Sequence, residues 1–343
     1  PPTQPDVSVL PDDWTKENTA SISWTNIADL NDLNRVELSW DGGAYQTTGL
    51  SDKTCSGYEA DISSFADGLH TLSIRGVDIA GNVGEAGTAS IQIDRSAPTL
   101  TQSSVKPAAW TAADSVMLTW EGAADAYSGL ARMEYAVDGG AWEALDVNEN
   151  GSREIEIGGL ADGEHRITLR LTDALENAAA WEHTIYLDHT PPVVELLTPQ
   201  NGAVVTGVLD IWGTVSDISL TDWTLTAKGS SGKEVTVHAD STERLSEQLG
   251  VLDTGEFADG ETIEIILTAH DAAAHESTVQ GIYVKADHSA KPVSADVTIT
   301  APPTIPRITP IKNLSSITFP PLREYYARKT ANYAKSLRAK IGF

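Results

Sequence analysis

Aspartate residues recur at matched positions along this chain, and their side chains are the ones best suited to hold a cation. In three places a tryptophan is followed five positions later by an aspartate, which gives Asp29, Asp125 and Asp217. Further aspartates end alternating apolar stretches or follow them directly. Carboxylate oxygens are the hard ligands that Ca²⁺ prefers, usually together with amide or carbonyl oxygens.

The candidate ligands fall into two groups, one at each boundary between neighbouring repeats. We expect Asp94 to approach Asp125 and Asp173, and Asp188 to approach the matching residues of the third repeat. The complete candidate set for interdomain calcium is Asp94, Asp125, Asp173, Asn177, Asp188, Asp217 and Asp271. The alternative is that these aspartates cap turns by accepting backbone N–H groups, as aspartate commonly does. There is no EF-hand-like run of ligands, so both interpretations stay open.

The grouping depends on an internal repeat. Ala-Asp-Gly occurs at 66–68, 161–163 and 258–260, which gives a period of about ninety-five residues. A period of this size corresponds to one small domain, so the chain is interpreted as an array of three.

Each repeat has the pattern of an antiparallel β-sandwich. Alternating apolar stretches are separated by turn signals, among them Asp-Gly-Gly at 41–43 and 138–140, which favours a tight hairpin. About seven short strands per repeat and the lack of helical periodicity predict an all-β, Ig-like sandwich. The predicted domains are 1–97, 98–190 and 191–288. Loops at one end of such a sandwich lie beside its N-terminus, which is why the two aspartate groups are expected to form.

Two segments carry a family resemblance. The strand end VDIAGN at 77–82 and the junction IDRSAP at 93–98 resemble the tandem bacterial Ig-like repeats of large surface and secreted proteins. The resemblance covers roughly residues 5–288 and implies an Ig-like fold and an extracellular or cell-surface location. The later repeats depart from the family at the Gly-Asn pair, where they have Glu176-Asn177 and Ala274-His275.

Tryptophans at strand ends indicate core positions. Trp24, Trp120 and Trp212 close alternating stretches, and we expect all three to point inward. The tryptophans that do not recur uniformly are the candidates for an aromatic platform that binds sugar: Trp40, Trp142, Trp181 and Trp223.

Charge is distributed unevenly. The net charge is −26, which argues against nucleic acid as a partner, but the segment from Ser289 onward carries +7 and the preceding residues carry −33. Within that segment we predict a Pro-rich linker over 289–321 and a basic amphipathic helix over 322–343. The helix could dock on the repeats or on a partner domain, lie on an anionic membrane, or begin a further domain.

Signatures of catalysis are absent from the sequence. There is no nucleophile elbow, zinc-protease motif or phosphate loop, and the one cysteine, Cys55, has no zinc-type partner spacing. We therefore expect a protein that is not an enzyme, with no catalytic or cofactor-binding residues to name and with calcium as its one possible cofactor. No apolar run is long enough to span a membrane. The start at Pro1-Pro2 suggests a fragment or a mature piece.

The favoured function is a structural stalk or adhesion module of a bacterial extracellular protein, which spaces and presents other domains of the same protein. The alternative is a glycan- or protein-binding accessory module of a larger enzyme or toxin. An exposed aromatic strip would favour this alternative.

Overall fold

The computed structural model describes residues 1–30 and 32–289, and its regular elements there are 24 β-strands and one short 3₁₀ turn. The strands form six sheets, a three-stranded and a five-stranded sheet in each repeat. Within the described ranges no helix is long and apolar enough to cross a membrane. The predicted helix over 322–343, and the predicted linker beyond Ser289, lie outside the described residues.

The first sandwich has eight strands. They are β1 (Asp6–Leu10), β2 (Trp14–Thr15), β3 (Thr19–Thr25), β4 (Leu33–Trp40), β5 (Gln46–Thr47), β6 (Cys55–Asp61), β7 (Gly68–Asp78) and β8 (Gly87–Ile93). Strands β1, β3 and β6 form one sheet, and the other has the order β2-β8-β7-β4-β5.

The second sandwich repeats this arrangement. Its strands are β9 (Gln102–Lys106), β10 (Trp110–Thr111), β11 (Ser115–Glu121), β12 (Leu130–Val137), β13 (Glu143–Leu145), β14 (Gly151–Glu156), β15 (Gly163–Asp173) and β16 (Ala178–Leu187). The sheet orders are β9-β11-β14 and β10-β16-β15-β12-β13.

The third sandwich has the same order with longer strands. They are β17 (Val193–Thr198), β18 (Ala203–Val205), β19 (Val208–Ser216), β20 (Leu220–Gly229), β21 (Glu234–Asp240), β22 (Arg244–Asp253), β23 (Thr262–Asp271) and β24 (Glu276–Ala286), with the 3₁₀ turn Thr254–Glu256 after β22. The sheets are β17-β19-β22 and β18-β24-β23-β20-β21.

This connectivity is that of an Ig-like sandwich, and the fold prediction is confirmed. All pairings are antiparallel except the edge pairs β2–β8, β10–β16 and β18–β24. The sequence analysis expected about seven strands, and the additional ones are short edge strands such as β2 and β5. The chain passes from one sandwich to the next over 94–101 and over 188–192.

Each sandwich has its own hydrophobic core between its two sheets. In the first, Ile22 and Trp24 from the three-stranded sheet meet Ile74 and Ile91 from the five-stranded sheet, and all four are almost fully buried. The other two sandwiches have separate clusters built in the same way. Burial of apolar surface in three independent cores lets each repeat stabilise itself.

The inward orientation predicted for Trp212 is wrong. Trp24 and Trp120 are buried, whereas the side chain of Trp212 lies on the outer face of β19 and is 43% exposed. In the third sandwich Trp223 of β20 fills the core instead and is fully buried.

The core tryptophans keep one hydrogen bond in common, although they come from different strands. In each case the indole N–H donates to a backbone carbonyl in the loop that precedes the last strand of the three-stranded sheet. These bonds are Trp24 to Asp52 at 3.0 Å, Trp120 to Asn148 at 3.1 Å and Trp223 to Thr242 at 2.9 Å. A buried indole N–H needs a partner, so the loop position is fixed by the core.

A histidine ties two turns together in the first sandwich. His70 Nδ1 lies 2.7 Å from Asp41 Oδ2 in the Asp-Gly-Gly turn, and its Nε2 lies 2.8 Å from the carbonyl oxygen of Ala66. The second Asp41 oxygen accepts the Thr71 N–H at 2.8 Å. The second sandwich has the same arrangement, with His165, Asp138, Ala161 and Arg166.

Candidate metal centres at the domain junctions

The aspartate of each Ala-Asp-Gly turn holds the segment by which the chain leaves its sandwich. Asp67 Oδ1 accepts the backbone N–H of Arg95 at 2.9 Å. The equivalent bonds are Asp162 to His189 and Asp259 to His288, each at 2.8 Å. The motif therefore recurs because it fixes the exit of every sandwich, a role that the sequence analysis did not assign.

Three carboxylates meet at the first junction. Asp94 leaves the first sandwich, Asp125 lies in the loop after β11, and Asp173 ends β15. One oxygen from each of the three lies within 4.8 Å of the others, and Asp94 and Asp173 are fully buried. The structure thus brings together the three carboxylates expected at this junction.

Local hydrogen bonds orient these carboxylates. Asp173 Oδ1 accepts the Asn177 N–H at 2.8 Å, and its Oδ2 accepts the Asn177 side-chain amide at 2.7 Å. Asp125 Oδ1 accepts the Gly129 N–H at 2.8 Å, and Asp94 Oδ2 accepts the Ser128 N–H at 3.0 Å. Turn capping and proximity therefore coexist, because Asp94 and Asp173 accept amide groups at both oxygens and Asp125 accepts them at Oδ1 alone.

Positive charge is missing around the first cluster. Within the described residues, no lysine or arginine forms an ion pair with Asp94, Asp125 or Asp173. The Oγ of Ser128, beside Asp94, is buried and has no hydrogen-bond partner in that part of the chain. The predicted ligand Asn177 donates its amide to Asp173 and, at 3.4 Å, to the carbonyl of Asp94.

The second junction contains a histidine that the sequence analysis missed. Asp188, Asp271 and His275 offer ligand atoms within 4.8 Å of one another. The His275 N–H donates to Asp271 Oδ1 at 2.8 Å, and its Nδ1 lies 2.7 Å from Asp271 Oδ2. His275 thus occupies the place that Asn177 has at the first junction. Its spacing of four residues from the strand-ending aspartate was the signal that could have identified it.

The remaining predicted ligand, Asp217, lies near Asp188 but outside this closest group. Burial, together with repulsion from Asp188 and Asp271, raises the pKa of Asp217 to about 6. Ser219 Oγ donates to Asp188 Oδ2 at 2.5 Å across the junction. Buried carboxylates in such numbers repel one another unless a proton or a cation lies among them.

Other contacts across the first junction are aromatic and polar. The rings of Trp14 and Tyr127 lie 5.8 Å apart, and Lys16 Nζ donates to the carbonyl of Leu175. The first two sandwiches therefore also touch through side chains outside the carboxylate cluster.

Comparisons with known proteins identify similar folds. No family model and no curated protein matches the chain. Three fibronectin domains of chicken CNTN1 are 13% identical, with a TM-score of 0.28 over 82% of this chain and 98% of theirs. A tetra-tandem repeat from the extending region of a large adhesion protein is 22% identical, with a TM-score of 0.33 over 84% and 74%. The D00-D0 domain of intimin is 13% identical, with a TM-score of 0.29 over 52% and 98%.

Similarity at this level assigns no function. The topology and the junction geometry of the chain itself give a more detailed description than these comparisons do. The described part of the chain is a tandem array of three Ig-like β-sandwiches whose boundaries are marked by clustered carboxylates.

Proposed function

We propose that the chain is a non-catalytic spacer of a bacterial extracellular or cell-surface protein, which positions other domains of the same protein. The observation that carries the proposal is the burial of Asp94 and Asp188 against loops of the following sandwich. Such contacts limit the angles between neighbouring sandwiches, whereas a simple tether would leave them free.

Calcium is proposed as the ion that completes each junction. Asp94, Asp125 and Asp173 supply hard oxygen ligands, and no lysine or arginine of the described residues compensates their charge. An ion bound between two sandwiches stabilises both, by about 2.7 kcal/mol when its concentration is a hundred times its dissociation constant.

Distance measurements between spin labels test the spacer. One label at Ser90→Cys and one at Ser152→Cys, in a Cys55→Ser background, report the first junction. We expect a narrow distance distribution that broadens with Asp94→Ala and stays narrow with Asp146→Ala, an exposed loop change in the second sandwich. A broad distribution in the parent chain would rule out a spacer of fixed geometry.

Thermal unfolding with excess calcium and with chelator tests the ion separately. Calcium should raise the unfolding midpoint, and Asp125→Asn or Asp173→Asn should remove the part of the increase that comes from the first junction. An unchanged midpoint would mean that these aspartates only cap turns, and the spacer proposal would still stand.

A further inference from the structure

A cleft opens at one edge of the first sandwich, between its two sheets. It has a volume of about 460 Å³ and lies where the edge strands β5 and β6 face each other across the two sheets. Volumes of this size are typical of small-molecule sites. The side chains used below are Trp40, Gln46, Tyr58, Glu59 and Phe65, all of which line the cleft.

The length of one edge strand explains why the gap stays open. Strand β5 has two residues, while its equivalents β13 and β21 have three and seven. In the third sandwich the longer β21 also contacts β22, so it covers the corresponding edge. The first sandwich therefore leaves the space between its sheets accessible from the side.

The aromatic walls of the cleft are held by packing. The rings of Trp40 and Phe65 meet edge to face, with centroids 5.2 Å apart at 80°, and Phe65 also packs on His70 at 4.8 Å. Tyr58 packs on the buried Trp24 at 6.2 Å. A rigid aromatic wall loses little conformational entropy when a ligand binds to it.

Polar groups in the cleft lack partners. The indole N–H of Trp40, the hydroxyl of Tyr58 and the amide of Gln46 form no hydrogen bond with any described residue. They comprise donors and acceptors in a single cleft. A polyhydroxylated ligand needs both kinds, whereas a cationic peptide side chain needs acceptors alone.

The other three non-repeating tryptophans are covered by a neighbouring side chain or packed against a core. Trp142 is covered by the Arg170 guanidinium, 3.8 Å from the ring centroid, and Trp223 is in the core. Trp181 is partly buried against the core of the second sandwich. Trp40 alone among these four lines a cleft of this kind.

We propose that this cleft binds a neutral glycan, with a pyranose ring against the Trp40 side chain and its hydroxyls bonded to the Tyr58 hydroxyl and the Gln46 amide. The ligand is neutral because the carboxylates of Glu59 and Asp61 and the strongly negative chain repel anionic sugars. This binding role adds to the spacer role and does not depend on it.

Titration of the full chain with neutral hexasaccharides of glucose, xylose, galactose and N-acetylglucosamine, followed by calorimetry, tests the site. We expect one of them to bind, and Tyr58→Phe or Gln46→Ala to weaken binding about tenfold each by removing one hydrogen bond. Glu143→Ala is the matched control, since Glu143 occupies on β13 the place that Gln46 has on β5. It should leave affinity unchanged.

Three results would overturn the proposal. They are the absence of binding by all four sugars, sugar binding that survives Tyr58→Phe combined with Gln46→Ala, and binding of a lysine-rich peptide that is lost in this double variant when no sugar binds. The last would assign the cleft to a protein partner. Thermal unfolding of each variant shows whether a loss of binding comes from loss of fold.

Discussion

The His70 side chain bridges two acceptors, which determines its protonation state. Only the imidazolium form can donate from both ring nitrogens, to Asp41 Oδ2 and to the Ala66 carbonyl. Burial lowers the pKa of His70, but the hydrogen bonds to Asp41 and Ala66 outweigh it and raise the pKa above the ordinary value. For Asp41, burial is likewise outweighed by the bond from His70, and its pKa is lowered.

A pH dependence follows from this bridge. A raised folded-state pKa gives a stabilising contribution that is complete below the unfolded-state value and is lost as the pH rises through the folded-state value. We therefore expect the first sandwich to lose stability from about pH 6.5 upward. Calorimetric unfolding of the wild type and of His70→Gln at about pH 6 and about pH 8.5 measures this. Equal destabilisation by the substitution at both pH values would contradict it.

At the scale of the strand, the third sandwich has its core tryptophan on the five-stranded sheet, whereas the other two sandwiches have theirs on the three-stranded sheet. Trp223 on β20 replaces the tryptophan that β3 and β11 supply, yet its N–H still bonds the loop before β22. Each core therefore contains one indole whose N–H donates to a carbonyl of that loop, and the tryptophan can come from either sheet.

Two substitutions separate the core tryptophan from the surface one. Trp223→Ala should lower the free energy of unfolding of the third sandwich by about 3–5 kcal/mol, because it leaves a cavity and an unpaired carbonyl. Trp212→Ala should change it by about 0.5 kcal/mol or less. Urea unfolding of both variants against the wild type measures the difference, and similar losses would show that Trp212 packs more tightly than its exposure indicates.

The strands and the all-β sandwich fold could be predicted from the sequence, because alternation and turn residues act locally. The error at Trp212 came from weighing the repeated Trp-x4-Asp spacing above alternation. Trp24 shares the inward face with Ile22, whereas Trp212 shares the outward face with Asp210, and Ile211 points inward. His275 was missed because the change from asparagine to histidine was interpreted as a departure from the repeat, although its spacing of four from Asp271 matches that of Asn177 from Asp173. Its approach to Asp188 depends on distances between loops of two sandwiches, which no single stretch of sequence gives.

Across the whole molecule, the charge opposes the close approach of neighbouring sandwiches. Residues 1–288 carry −33, and both junctions bury aspartates. Without calcium, raising the salt concentration from about 0.05 M to about 0.5 M should raise the thermal midpoint, because it screens this repulsion. Excess calcium should reduce the salt effect. A midpoint that falls with salt would show that attractive ion pairs dominate instead.

The exit of the third sandwich is built like the other two. Asp259 accepts the His288 N–H at 2.8 Å, and Asp287 accepts the Ser289 N–H at 2.9 Å, as Asp162 and Asp188 do one repeat earlier. If two repeats of such a gene recombine, the exit segment of one sandwich is therefore followed by the entry of another sandwich with the same kind of contacts. The number of repeats in the array can change by recombination while each junction keeps the same kind of contacts.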